Sequence, residues 1–104
     1  MRRGEVWWAD LPPPQGRRPV VLLSRDSAYR VRRSVTIAPV TRTIRNIPVE
    51  VLLDRSDGLP ARCAVNLDDI TTIFKSVLKE RISGLSAERM QQIDEAIRFA
   101  LDLA

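Results

Sequence analysis

Two stretches decide the fold: Arg18-Pro19-Val20-Val21-Leu22-Leu23-Ser24 and Ser34-Val35-Thr36-Ile37-Ala38-Pro39-Val40-Thr41. The continuous apolar run Val20 to Leu23 reads as a central strand buried on both sides. Val35, Ile37 and Val40 mark the second stretch as another strand. The intervening Ser24 to Arg33 is polar and charged, a surface connection of about ten residues, so an antiparallel hairpin is the simplest link. Pairing Ser24 with Val35 sets Leu22 opposite Ile37, Val20 opposite Pro39 and Arg18 opposite Thr41, with facing Cβ atoms about 5 Å apart. A slip of one residue would send Arg18 and Thr41 to opposite faces. Pro39 has no N–H for the ladder, which points to an irregular or edge position.

Working outward, Gly4 to Leu11 carries Val6, Trp7 and Trp8 and reads as a first strand. Pro12-Pro13-Pro14-Gln15-Gly16 breaks it into a loop. Pro48 to Leu53 places Val49, Val51 and Leu53 on one face with Glu50 opposite, a further strand. Asp54 to Pro60 is a turn cluster. Cys63 to Ile73 is expected to hold one or two short strands, and Lys79 to Gly84 another. The end differs. Ser86 is a good N-cap with Glu88 in the first turn, and Leu85 can staple onto Met90. Met90, Ile93, Ile97 and Leu101 then recur at helical spacing, which predicts an amphipathic helix over about 86–103 with its acidic face to water. The expectation is a mainly β (α+β) chain of one domain, 1–104. Five to seven short strands within 1–85 form a small antiparallel barrel or strongly bent sheet.

Composition narrows the chemistry. The chain has 104 residues, one cysteine and no histidine. That excludes internal disulfides, cysteine zinc clusters, serine–histidine hydrolases and ribonucleases built on a histidine pair. Cys63 reads as a small packed residue. No run of about 18 apolar residues suggests a membrane span, and no secretory signal opens the chain, so a cytoplasmic protein without membrane association is expected. The net charge of +4 is unevenly spread: residues 17–45 hold eight arginines against the single Asp26, a net +7. Such a block suits a polyanion such as nucleic acid, and equally a solvated basic surface.

Arg18 and Thr41 at one rim make chemical sense for a phosphodiester. A guanidinium fork holds two phosphate oxygens and a hydroxyl adds a third hydrogen bond, together favouring a five-coordinate phosphorus transition state. No acidic cluster stands at metal-ligand spacing. Asp68-Asp69 would point to opposite faces if extended. No metal or other cofactor is therefore expected, and attack by a ribose 2′-hydroxyl is the natural route, which requires RNA.

The ordered set of short motifs resembles the MazF/PemK toxins over nearly the whole chain. It comprises Arg3-Gly4-Glu5-Val6-Trp7 with Asp10-Leu11, Gly16 with Arg18-Pro19-Val20-Val21-Leu22-Leu23-Ser24, Ala38-Pro39-Val40-Thr41, Pro48-Val49-Glu50-Val51, Gly58-Leu59, Val65-Asn66-Leu67-Asp68-Asp69-Ile70, Thr72-Ile73-Phe74-Lys75 and Ile93-Asp94-Glu95-Ala96 with Leu101. The resemblance implies a CcdB/MazF/PemK-type barrel acting as a homodimer, the toxin of a type II toxin–antitoxin system. It implies metal-independent, sequence-specific cleavage of single-stranded RNA (an mRNA interferase), leaving 2′,3′-cyclic phosphate (or 3′-phosphate) and 5′-hydroxyl ends. It further implies a cognate antitoxin, MazE-like or of another type, whose acidic or hydrophobic tail occupies the RNA groove. The family's catalytic arginine and threonine fall on Arg18 and Thr41. Charge stabilisation is the role assigned to Arg18, because a guanidinium rarely gives up a proton. RNA contacts are expected from Gly16, Arg17, Arg25 and Arg42. Asn66 and Asp69 either read base edges or serve the structure. Trp7 and Trp8 face opposite ways, so at most one offers a stacking surface, and the core is the favoured place for both. The Pro12–Arg17 loop is shorter than the family's usual one.

Two other readings stay in view. A CcdB-like toxin would bind a protein such as DNA gyrase through a C-terminal tryptophan, whereas this chain ends Leu101-Asp102-Leu103-Ala104. A passive RNA-binding module would hold RNA without cutting it. Fold alone does not separate these.

Overall fold

A computed structural model describes all 104 residues. Seven strands run β1 (Glu5–Asp10), β2 (Arg17–Leu22), β3 (Ser34–Thr41), β4 (Glu50–Leu53), β5 (Cys63–Asn66), β6 (Thr71–Phe74) and β7 (Leu78–Gly84), and a helix of 14 residues, α2 (Ala87–Ala100), follows them. They make one antiparallel sheet ordered β4-β5-β3-β2-β1-β7, with β6 added to the first half of β3. The register of β2 on β3 is the one the sequence predicts: Leu22 faces Ile37 and Val20 faces Pro39.

Pro39 is not at an edge. It is buried in β3 at the point where that strand changes partner, from β6 through Ile37 to β5 from Val40. A missing N–H is tolerated at such a break in the ladder. The change of partner goes with curling. In a flat sheet of six strands the edges would stand about 24 Å apart. Here Ser83 of edge strand β7 donates its hydroxyl to the Asp57 carbonyl, 2.6 Å away, in the turn that follows the other edge strand, β4. The edges have come round toward one another, which makes the sheet barrel-like.

Strand alternation sorts the apolar residues onto the two sides. Val6, Val21, Ala38, Val40, Val51, Leu53, Cys63 and Val65 join Ile93 and Ala96 of α2 in one core. Ala9, Val20, Leu22, Val35 and Ile37 pack with Tyr29 and Leu78 in a second. Both faces of β1, β2 and β3 are thus covered, as the apolar run in β2 requires.

Three expectations need correction. The 24–33 connection is not wholly a surface segment. It contains a four-residue helix, α1 (Ala28–Val31), that buries Ala28 and Tyr29. The Tyr29 hydroxyl donates to the Ser24 carbonyl at 3.0 Å, so an aromatic ring sits in the second core with its polar tip satisfied. The C-terminal helix stops at Ala100, and Leu101 lies 56 % exposed beyond its last turn. Finally, the acidic face of α2 is not left entirely to water: Asp94 meets Arg3 at 2.7 Å. The helix start is as expected, with the Ser86 hydroxyl oxygen accepting the Arg89 N–H at 3.1 Å. No helix is long and apolar enough to cross a membrane.

Candidate active site

The β2–β3 ladder ends at Val20 with Pro39. Beyond it Arg18, near the start of β2, and Thr41, the end of β3, lie at the same rim of the sheet. Both line one cavity of about 390 Å³ at that rim of the sheet. Its wall comes from three places. β1 and β2 supply Trp8, Arg17 and Arg18. The end of β3 and the following loop supply Thr41, Arg42 and Thr43. The segment before β5 and the start of that strand supply Arg62 and Cys63.

The electrostatics are one-sided. Four guanidinium groups line the cavity, from Arg17, Arg18, Arg42 and Arg62, and no carboxylate does. The ion pairs of the chain use Arg3, Arg81 and Arg89 instead, so all four cavity arginines keep their charge free for a ligand. Arg18 is half-buried, and its Nε–H is enclosed without a hydrogen-bond acceptor. An unsatisfied buried donor costs about 1–3 kcal/mol, a cost that an anionic oxygen in the cavity would offset. The Thr41 hydroxyl oxygen accepts the Thr43 backbone N–H at 3.1 Å. That bond takes up a lone pair and leaves the hydroxyl proton to donate elsewhere. Arg17 lies over the Trp8 ring, 5.1 Å from its centroid, a cation–π contact that stiffens both side chains.

The segment bearing Arg62 is built by a local device. Asp54 caps a single 3₁₀ turn, accepting from the Ser56 N–H at 2.8 Å, while the Asp57 carboxylate accepts the Asp54 N–H at 3.0 Å. Those bonds from Ser56 hold the exposed Asp54 carboxyl below its ordinary range. Gly58 closes the turn at a left-handed φ of 87°. Arg89 of α2 pins the turn through its Nε–H, 3.0 Å from Asp57 Oδ1. Cys63 is 5 % exposed, and burial pushes its thiol pKa up, as befits a packed residue rather than a nucleophile.

The structure gathers Arg17, Arg18, Thr41 and Arg42, and it does not gather the other candidates. Gly16 sits in the β1–β2 hairpin with φ at 64°, where its carbonyl accepts the Leu11 N–H at 3.0 Å; it adjoins the cavity without lining it. Arg25 lies beyond the far end of β2, roughly 23 Å along the chain from Arg18 at about 3.3 Å per residue. Asn66 and Asp69 hold one another: Asn66 Nδ2 donates to Asp69 Oδ2 at 3.0 Å, and Asn66 Oδ1 accepts the Asp68 N–H at 2.9 Å. They cap the turn after β5, away from the cavity lining. Trp7 packs half-buried against the second core, its indole N–H donating to Glu5 at 3.0 Å, whereas Trp8 faces the cavity, against the expectation that both are core. Arg62 and Thr43 were not foreseen. Their place depends on β3 pairing with β5, Thr41 against Ala64, a contact between strands far apart in sequence.

Fold and site together define a small barrel-like β protein with a cationic, aromatic-edged cavity at one rim of its sheet. Comparison with known proteins gives this class its family. The model of the PemK-like, MazF-like toxins of type II toxin–antitoxin systems matches residues 2–101, and the chain belongs to that family. It is 46 % identical over 101 residues to the probable endoribonuclease MazF5 of Mycobacterium tuberculosis, covering 96 % of this chain and 92 % of that one. Among solved structures it superposes on the Mycobacterium tuberculosis toxin MazF-mt6 with a TM-score of 0.90, at 33 % identity over 96 % of this chain and 98 % of the other. A mycobacterial endoribonuclease solved in complex with its cognate antitoxin gives 0.89, at 31 % identity over 100 % and 97 % of the two chains.

Proposed function

We propose that this toxin is a metal-independent, sequence-specific endoribonuclease whose 104 residues act as one domain in the cytoplasm, and that Arg18 and Thr41 are its catalytic residues. The observation that carries the proposal is the cavity itself, with four unpaired guanidinium groups and an oriented threonine hydroxyl at one rim. The ribose 2′-oxygen attacks phosphorus, forming the O2′–P bond and breaking the P–O5′ bond. The 2′-proton goes to solvent and the leaving 5′-oxygen takes one from it. Two non-bridging oxygens gain negative charge in the transition state. The Arg18 fork and the Thr41 hydroxyl bond them there, and donors of this kind are worth about 3–4 kcal/mol each. Arg17, Arg42 and Arg62 hold neighbouring phosphates, and the Trp8 ring under Arg17 offers a base a stacking face.

The same cavity suits an antitoxin segment. A carboxylate-bearing tail would neutralise the arginines that RNA needs, so binding of one excludes the other. A homodimer belongs to the proposal as well: Phe74 on β6, 68 % exposed, is an apolar ring that the chain does not cover itself. The proposal is tested by incubating the protein with a long mixed-sequence RNA in excess EDTA and mapping the ends. Discrete cuts bearing 2′,3′-cyclic phosphate are expected. RNA retained on a gel but left whole would instead mark a binding module.

A further inference from the structure

Between Thr41 and β4 the chain leaves the sheet for residues 42–49, and the first two of these, Arg42 and Thr43, line the cavity. The segment has no regular structure of its own, and apart from one bond to Thr41 its shape is held from outside the cavity. The hydrogen bonds that hold residues 43–47 run to two residues only. Thr43 N–H goes to Thr41 Oγ1 at 3.1 Å. Arg45 N–H and Asn46 N–H both go to one oxygen of Glu50, Oε1, at 2.9 and 3.2 Å, and the Glu50 N–H returns to the Ile47 carbonyl at 3.0 Å.

Asn46 occupies the left-handed region at a φ of 54°. Asparagine tolerates that conformation better than most side chains, but still at a cost, and such a residue persists where its surroundings hold it. A carboxylate gripping two successive N–H groups is such a hold, and bonds to a charged acceptor are the stronger kind. Glu50 itself is anchored: it opens β4 opposite Asn66 of β5, whose amide is in turn tied to the 67–69 turn.

We infer that Glu50 is a positioning residue for RNA cleavage. It touches no substrate. It clamps the 42–48 loop through the Arg45 and Asn46 amides, and so sets the Thr43 N–H that orients the Thr41 hydroxyl and the Arg42 guanidinium beside it. The inference rests on the ribonuclease reading above. It places a determinant of turnover on β4, outside the cavity, at a side chain whose family motif, Pro48-Val49-Glu50-Val51, otherwise looks like an ordinary strand.

The test compares wild type, Glu50→Ala, Glu50→Gln and Glu50→Asp well below their melting temperatures, with Leu53→Ala as a control that weakens the core on the same strand. Single-turnover RNA cleavage and amide hydrogen exchange of Arg45 and Asn46 are the readouts. Glu50→Ala should cut at least tenfold more slowly with both amides exchanging freely. Glu50→Gln, which keeps an acceptor at the same place, should stay within about threefold of wild type. Leu53→Ala should lose thermal stability but not rate. Should Glu50→Ala not fold, Glu50→Asp, which withdraws the carboxylate by one methylene, must show the loss. Full cleavage by Glu50→Ala or Glu50→Asp, or no protection of the two amides in the wild type, overturns the inference. If the wild type itself does not cut RNA, the ribonuclease reading falls, and the exchange data alone decide whether the clamp exists.

Discussion

Replacing Gly58 by alanine should destabilise the protein by about 2–4 kcal/mol, and the structure shows why. Gly58 has a φ of 87°, and a Cβ added there would stand 2.6 Å from Ser83 Cβ and 2.9 Å from Ser83 Oγ. A left-handed conformation costs an alanine about 1–2 kcal/mol. The collision adds about 1–3 kcal/mol of overpacking, because Ser83 cannot turn away without losing its bond to the Asp57 carbonyl. The reduced freedom of the unfolded chain returns about 0.4–1 kcal/mol. Gly16 supplies the control: its φ is 64°, but nothing lies within 4 Å of the Cβ it would carry. Gly16→Ala therefore meets strain without collision and should cost about 0–1.6 kcal/mol. Urea unfolding followed by tryptophan fluorescence separates the two. With a slope of about 2 kcal/mol per molar, Gly58→Ala should lower the midpoint by about 1–2 M and Gly16→Ala by less than about 0.8 M. Equal midpoints for the two variants would refute the assignment of the cost to the close approach of the two sheet edges.

Two further outcomes follow from buried or partly buried ionisable groups. Burial acts to raise the Glu5 pKa, but hydrogen bonds from the Trp7 indole, the Arg2 backbone N–H and the Arg81 guanidinium outweigh it, so the carboxyl lies below its ordinary 4.5. A lowered carboxylate contributes stability above its unfolded value and loses it as the pH falls through the folded one; Glu5→Gln should thus be less stable than wild type at pH 6 by about 1–2 kcal/mol, with the gap closing below about pH 4, and a gap that widened in acid would contradict this. Tyr29, the only tyrosine in the chain, is pushed up to about 12, chiefly by burial and then by Asp26. Its neutral form is favoured in the fold, so stability is retained below its ordinary 10.0 and lost as the pH rises toward 12; ultraviolet titration of the folded protein should show no phenolate near pH 10, and a midpoint there would mean the ring is not buried.

Much of this architecture was legible because its signals are local. The apolar run Val20 to Leu23, the spacing of Val35 and Ile37 and the short polar connection together specify the β2–β3 register, which carries Arg18 and Thr41 to one rim of the sheet. Ser86 and the periodicity after it specify α2. What stayed hidden depends on contacts between distant segments. Tyr29 reads as part of a charged loop until the second core is seen to need a ring. Arg62 joins the site only because β5 pairs with the end of β3. Trp8 lines the cavity, and alternation along β1 says only that Trp7 and Trp8 face opposite ways, not which of them meets it. Arg25 is as basic as Arg17, and charge counting cannot tell that β2 carries the two to opposite ends.

The central claim, that the Arg18–Thr41 rim cleaves RNA, is tested most directly by single-turnover cleavage in excess EDTA, using an RNA that holds one mapped cut site and the same RNA with a 2′-deoxy sugar there. Wild type should cut the first and spare the second. Arg18→Ala should be slower by about 10²–10³, Arg18→Lys should remain impaired for want of the fork, and Thr41→Ala should also lose rate. Cleavage of the 2′-deoxy strand, or full activity in both alanine variants, would contradict the account.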